Sequence, residues 1–192
     1  MMRMTREESQ AATRSRLLAA AATLFAREGY VSTSVDRIAE DAGFSKGAFY
    51  SNFRNKEEIF LEVLETYGEA SLSHLLGAID CAADLSAAIE SIASWATEIS
   101  RQGNWPLLVL EHARQAKPEN DFCKSQETVF RSHWRRLGER LARFAPDRAY
   151  DVELLGALVF ELTYAPAMQI VTHPTAGDLI RLALQAMLEP PR

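Results

Sequence analysis

"FSKGAFYSNFRNK", residues 44–56, mixes aromatic rings, cations and a glycine within a chain whose net charge is −5. Helical spacing sorts the mixture. Ser45 can cap a helix by accepting from backbone N–H groups two or three residues on. A short helix from there to Asn52 or Phe53 puts Phe49 and Phe53, four apart, on one face with Ala48. Lys46, Gly47, Tyr50 and Ser51 fall on the opposite face. Glycine costs about 1 kcal/mol relative to alanine inside a helix. Gly47 on an outward face therefore calls for a reason, and close approach of another backbone is one.

The flanking segments have equally plain punctuation. Upstream, "TSVDRIAEDAG", residues 33–43, offers Thr33 as an N-cap with Asp36 three residues on, then Val35, Ile38, Ala39 and Ala42 inward and Gly43 as a stop. Before it, a helix over Thr5–Glu28 carries Leu17, Leu18, Ala21, Leu24 and Phe25 on one face and ends at Gly29. Downstream, Asn55 caps a long helix with Glu58 at the capping-box position and Ile59, Phe60, Val63, Leu64 and Tyr67 at helical spacing. Two short helices joined by a tight glycine turn, with polar residues facing out from the second, form a helix-turn-helix. Its second helix enters the DNA major groove with its N-terminal residues first. In that arrangement Ser45 and the helix N-terminus suit phosphate, Lys46 suits a phosphate or a base edge, and the Tyr50 hydroxyl suits a phosphate. Lys56, at the start of the next helix, adds a cation, and Thr33 and Ser34 supply hydroxyls at the start of the second.

Charge supports the same division. Residues 1–56 hold nine Lys or Arg against six acids, while the remainder holds 12 basic and 20 acidic residues, so one segment suits an anion and the other does not. Apolar residues make up 47% and charged residues 24%, the balance of a folded protein. Helical period continues to the C-terminus, and no segment of five or more residues alternates cleanly between turn signals. Breaks fall at Asp84, "GNWP", "KPEND", "FAP" and "THPTAG", with the last two helices over about residues 147–170 and 175–188. The spacing predicts an all-α chain of about nine helices: an N-terminal three-helix helix-turn-helix domain over residues 1–56, then a larger helical domain over 57–192. No Gly/Ser tether interrupts residue 56, which predicts a continuous helix across the junction.

Several function classes find no support. Cys81 and Cys123 form neither a CxxC pair nor a disulfide framework, and His74, His112, His133 and His173 show no metal-ligand spacing, so no metal and no cofactor is expected. The chain has no GxSxG, P-loop, HExxH or GxGxxG motif, so it is not read as an enzyme. No apolar run reaches the roughly 18 residues of a membrane span and the start lacks a leader-like apolar stretch, which predicts a cytoplasmic protein without a membrane partner.

In the larger domain, the last two helices are apolar over more than one face. Leu154, Leu155, Leu158 and Leu162, with Leu179, Leu182 and Ala183, are candidates for an interface with a second copy. Trp95, Trp105, His112, His133, Trp134, Phe160, Tyr164 and Met168 are candidates for an aromatic-lined cavity, with ordinary core as the competing reading.

Taken together, "LFAREGYVSTSVDRIAEDAGFSKGAFYSNFRNKEEIF", residues 24–60, resembles the DNA-binding domain of the TetR family of bacterial transcriptional regulators, over about a fifth of the chain. Position by position, the resemblance puts DNA contacts on Thr33, Ser34, Ser45, Lys46, Gly47, Tyr50, Ser51 and Lys56. Asn52 stands where the family often has histidine, and Phe44 where it often has valine. The resemblance further implies a small-molecule effector bound by the C-terminal helices and a homodimer. The whole would then be a repressor that leaves a palindromic double-stranded operator when the effector binds. The alternative is a member of the same fold that binds protein, as a coactivator or nucleoid-associated factor.

Overall fold

The computed structural model describes residues 5–101, 121–164 and 172–188. These residues form eight helices and, among them, no strand: α1 (Arg6–Glu28), α2 (Val35–Asp41), α3 (Lys46–Tyr50), α4 (Lys56–Asp80), α5 (Leu85–Arg101), α6 (Asp121–Ala142), α7 (Val152–Tyr164) and α8 (Ala176–Leu188). The chain is all-α, as its periodicity predicts. The described residues fall into two compact units, 5–67 and 68–101 with 121–188. α4 starts at Lys56, has residues in both units and runs unbroken past Tyr67 to Asp80. No described helix is long and apolar enough to cross a membrane.

In the first unit the helix ends are fixed by side chains. Thr5 caps α1 with a full capping box: its hydroxyl accepts from Glu8 N–H at 3.2 Å and the Glu8 carboxylate accepts from Thr5 N–H at 2.7 Å. α2 is capped by Ser34, which accepts from Arg37 N–H at 3.2 Å, and not by Thr33 as the sequence suggests. Thr33 is buried, and its hydroxyl donates back to the Gly29 carbonyl at 2.8 Å. Either hydroxyl could cap, and burial decides between them.

α2 stops in two bonds at once: Phe44 N–H donates to Ala39 O at 2.8 Å and Gly43 N–H to Glu40 O at 2.9 Å. That pattern needs the residue between in the left-handed region, and Gly43 has φ +76°. Ser45 then caps α3 by accepting from Ala48 N–H at 3.2 Å. α3 ends at Tyr50, sooner than predicted, with Asn52 and Phe53 N–H still bonded to Phe49 O at 2.9 Å each. Asn55 accepts from Glu58 N–H at 2.8 Å and so starts α4.

The core of this unit is Leu17, Leu24, Phe25, Ile38, Phe49, Phe53, Ile59, Phe60 and Val63 with small alanines between. Phe25 meets Phe60 edge to face at 5.1 Å, and Tyr30 lies 4.6 Å from Phe60.

The second unit packs α5, α6, α7 and α8 with the later turns of α4 around one core. α6 and α7 run antiparallel and touch backbone to backbone at two glycines. A Cβ built at Gly156 would lie 1.9 Å from Trp134 O, and one at Gly138 would lie 1.8 Å from Val152 O. α7 begins later than predicted because Asp151, not Asp147, supplies the cap, accepting from Glu153 and Leu154 N–H at 2.9 and 3.2 Å. Thr175 and Asp178 cap α8 reciprocally, at 3.2 and 2.8 Å. The predicted helix over "LLVLEHARQA", with Trp105 and His112, lies outside the described residues, as does Met168.

One polar hub accompanies this core. Arg136 donates to both Glu69 oxygens at 2.6 and 2.8 Å, Ser73 donates to the same carboxylate at 2.9 Å, and His133 Nε2 lies 3.4 Å away. The Arg136 bonds hold the Glu69 carboxyl down at about 2, against an ordinary 4.5.

Candidate nucleic-acid interface

The helix-turn-helix face is defined as much by what turns inward as by what stays out. Three cations of the first unit lie over aromatic rings and donate to helix-end carbonyls. Arg14 sits 4.0 Å from the Phe53 ring, pairs with both oxygens of Glu62 and donates to Asn52 O. Arg16 sits 4.6 Å from the Phe44 ring and donates to Ala42 O at 2.8 Å. Lys56 sits 4.2 Å from the Tyr30 ring and donates to Tyr30 O and Thr33 O at 2.8 and 2.9 Å.

Each thus neutralises the partial negative charge of carbonyls that a helix end or turn leaves exposed. The ring face beneath adds cation–π attraction of about 0.5–1 kcal/mol at partly exposed sites. Lys56, a sequence candidate for a DNA contact, thus directs its ammonium to two carbonyls of its own chain. Thr33, another such candidate, has its hydroxyl buried and donating to Gly29 O.

The remaining sequence candidates come together on one surface. Ser34, Ser45, Lys46, Gly47, Tyr50 and Ser51 are all exposed, over the start of α2 and the whole of α3. Ser51 returns its hydroxyl to Gly47 O at 2.9 Å, and Tyr50 packs its ring edge-on to Phe49 at 5.4 Å, with its outer side exposed. Lys46 reaches across to α2 and donates to Asp36 at 3.0 Å, a bond that raises the lysine pKa above its ordinary value. Gly47 has nothing but Ser45 Oγ, at 3.7 Å, near the place a Cβ would occupy. No neighbour among the described residues requires glycine there.

Gly47→Ala is therefore expected to leave the fold intact and to stabilise α3 by up to about 1 kcal/mol from helix propensity. If the missing Cβ makes room for DNA, the same variant loses about tenfold or more in DNA affinity. Thermal unfolding and DNA binding measured on one preparation check it, and an unchanged affinity would remove the close-approach argument.

The second unit gathers four of the remaining candidates. Phe160 lies 6.2 Å from Trp95, 6.2 Å from His133 and 6.0 Å from Tyr164, so rings from α5, α6 and α7 form one cluster. Trp95 Nε1 donates to Ser71 Oγ at 3.0 Å. On α7 and α8, Leu154 and Leu182 are 69% and 70% exposed, and Leu158, Leu162, Leu179 and Ala183 are half-buried. Leu155 is buried in its own core and does not belong to that exposed stripe.

Comparison with known proteins points the same way as the geometry. Residues 17–63 match the family described as bacterial regulatory proteins, tetR family. The chain is 42% identical over 65 residues to the transcriptional regulator AcrR of Shigella flexneri, covering 34% of this chain and 30% of that protein. It is 28% identical over 144 residues to the transcriptional repressor Rv1474c of Mycobacterium tuberculosis, covering 74% and 67%. For most of the curated relatives the match spans less than two fifths of their length. Among solved structures, the transcriptional regulator FadR of Bacillus subtilis, in complex with stearoyl-CoA, superposes with a TM-score of 0.70 over 93% of this chain and 99% of that one, at 18% identity.

Proposed function

Because the chain belongs to the TetR family of bacterial transcriptional regulators, non-enzymatic proteins that carry a helix-turn-helix for DNA, we propose that it is an effector-responsive repressor acting as a homodimer on a palindromic operator. The observation that carries the reading is the exposed face of α3. Lys46, Gly47 and Tyr50 stand outward on a helix fastened from behind by Phe49 and Phe53. In this reading Ser34, Ser45 and Tyr50 bond phosphates and set the register, while Lys46, Gly47 and Ser51 meet base edges.

The dimer is inferred from Leu154 and Leu182. Large apolar side chains standing about 70% exposed at comparable places on adjacent helices suit a two-fold contact, extended by Leu158, Leu179 and Ala183. A two-fold pair of reading helices requires half-sites about 34–36 Å apart, or a multiple of that. The effector is assigned to the ring cluster of Trp95, His133, Phe160 and Tyr164. For release to work, effector and operator must weaken each other's binding by the same factor.

The test is Leu182→Asp, studied by analytical ultracentrifugation and by binding to DNA duplexes carrying one or both half-sites selected from a randomised pool. The wild-type protein is expected as a dimer that prefers the paired site. The variant is expected as a monomer that binds one and two half-sites alike. A wild-type protein that binds no duplex even at low salt would reject the DNA reading in favour of a protein partner. A variant that remains dimeric would reject this surface as the interface.

A further inference from the structure

On the face that the proposed function turns toward DNA, the bond between Lys46 and Asp36 is out of place electrostatically. DNA attracts proteins mainly through its phosphates, whatever the sequence, and each phosphate neutralised by a cation adds about 0.9 to the salt slope of binding. A reading surface built only for affinity would leave its cations unpaired and carry no carboxylate. Here the side chains of Lys46 and Asp36 are 56% and 65% exposed, joined at 3.0 Å, and they project from the two helices of the motif. Asp36 is not consumed elsewhere, since the cap of α2 is supplied by Ser34 and the Arg37 side chain turns to Glu28 at 3.3 Å.

Two further exposed cations of the unit pair with carboxylates that brace α1 or α4: Arg27 with Glu28 and Arg54 with Glu58. An ion pair between two exposed side chains is screened by solvent and contributes little to stability, so stability gives little reason for the pair. Its consequence for binding is larger. A phosphate that approaches Lys46 must displace or tolerate Asp36. A guanine edge, with two acceptors side by side, can replace the carboxylate oxygen at the ammonium while the carboxylate swings toward the amino group of a cytosine.

Resting on the reading that this face binds DNA, we propose that Asp36 is a specificity-determining residue: it holds Lys46 away from phosphate attraction common to all DNA and yields it only to a matching base edge. It acts against the wrong partner rather than for the right one.

The variant that tests this is Asp36→Asn, compared with wild type on a mixed-sequence duplex and on the duplex selected by the wild-type protein, between about 50 and 200 mM salt. Binding to the mixed-sequence duplex is expected to tighten several-fold and its salt slope to steepen by about one unit. The selected duplex is expected to gain less, so the ratio between the two falls by about threefold to tenfold. Asp36→Glu, which keeps a carboxylate in reach, is expected to behave as wild type. In the Lys46→Ala background the gain from Asp36→Asn is expected to vanish, because it acts through the ammonium.

An unchanged ratio in Asp36→Asn, or a gain that survives in the Lys46→Ala background, overturns the proposal while leaving DNA binding by this face intact. Failure of the wild-type protein to bind either duplex would instead overturn the function on which the proposal rests. Circular dichroism of each variant guards against a loss of fold. Asn at this position leaves the Ser34 cap in place, and Asp36→Glu supplies the second folded comparison.

Discussion

Gly156→Ala is expected to destabilise the second unit by about 3 kcal/mol, although alanine is the better helix former by up to about 1 kcal/mol. The added methyl would lie 1.9 Å from Trp134 O, 2.5 Å from its carbonyl carbon and 2.7 Å from its Cα. These are backbone atoms inside a hydrogen-bonded helix, so α6 cannot yield locally, and the two helices must separate along their contact. Separation loosens Leu137, Leu155 and Val159, which the core buries between them, and a packed interior forfeits dispersion energy steeply with small gaps. The thermal midpoint is expected to fall by about 10 °C. Gly77 provides the control: nothing stands within 4 Å of its absent Cβ, so Gly77→Ala is expected to raise the midpoint slightly. A Gly156→Ala midpoint at or above that of wild type would mean that α6 and α7 do not approach this closely.

Arg14→Ala should have the largest effect in the first unit. The guanidinium holds both oxygens of Glu62, the Asn52 carbonyl and the face of Phe53 at once. Its side chain and that of Glu62 are each about one third exposed, so solvent screens the pair in part. Loss of the arginine leaves a half-buried carboxylate and a carbonyl unsatisfied, at a combined cost of about 2–3 kcal/mol. The functional loss is expected to exceed the loss of stability. The Asn52 carbonyl sits just after α3, and Phe53 anchors that helix in the core, so a slack end misplaces Lys46, Gly47 and Tyr50 together. Operator binding should drop by more than tenfold at a temperature where the variant is still folded. Arg14→Lys, which keeps charge but cannot pair with two oxygens in a fork, should recover only part of it. Full recovery by lysine would show that charge alone matters and that the forked geometry does not.

The sequence disclosed these features unevenly, and the reach of each interaction explains why. Caps at Ser45, Asn55 and Thr175, and at Asp84, which accepts from Ala87 N–H at 2.8 Å, are bonds across three residues and can be read directly from spacing. The Thr5 cap was readable in the same way, from Thr5 and Glu8. Spacing does not tell the caps Thr33 and Ser34 apart, because adjacent hydroxyls carry the same local signal and only burial separates them. The inward bend of Lys56 is hidden, because a position at a helix start says nothing about where a long side chain turns. Arg14 could not be found at all: its partners lie 38 and 48 residues away. The inward place of Leu155 is hidden because α7 is apolar nearly all round, which masks the inward stripe. Gly138 and Gly156 left a faint signal, being glycines within helices like Gly47, and only the facing backbone shows why they are there. The ring cluster around Phe160 joins three helices, and no single helical period reveals it.

The core of the first unit is completed by Ile59, Phe60 and Val63, and its polar clamp by Glu62. These residues follow both short helices in the chain and are translated after them. At about 5–20 residues per second, a growing chain emerges with its two short helices exposed and their inner faces uncovered until the opening turns of α4 clear the ribosome. A gene fragment that stops at Lys56 would release the reading helix without the residues that hold it down, so a minimal expressed form of the DNA-binding unit must extend at least through Val63.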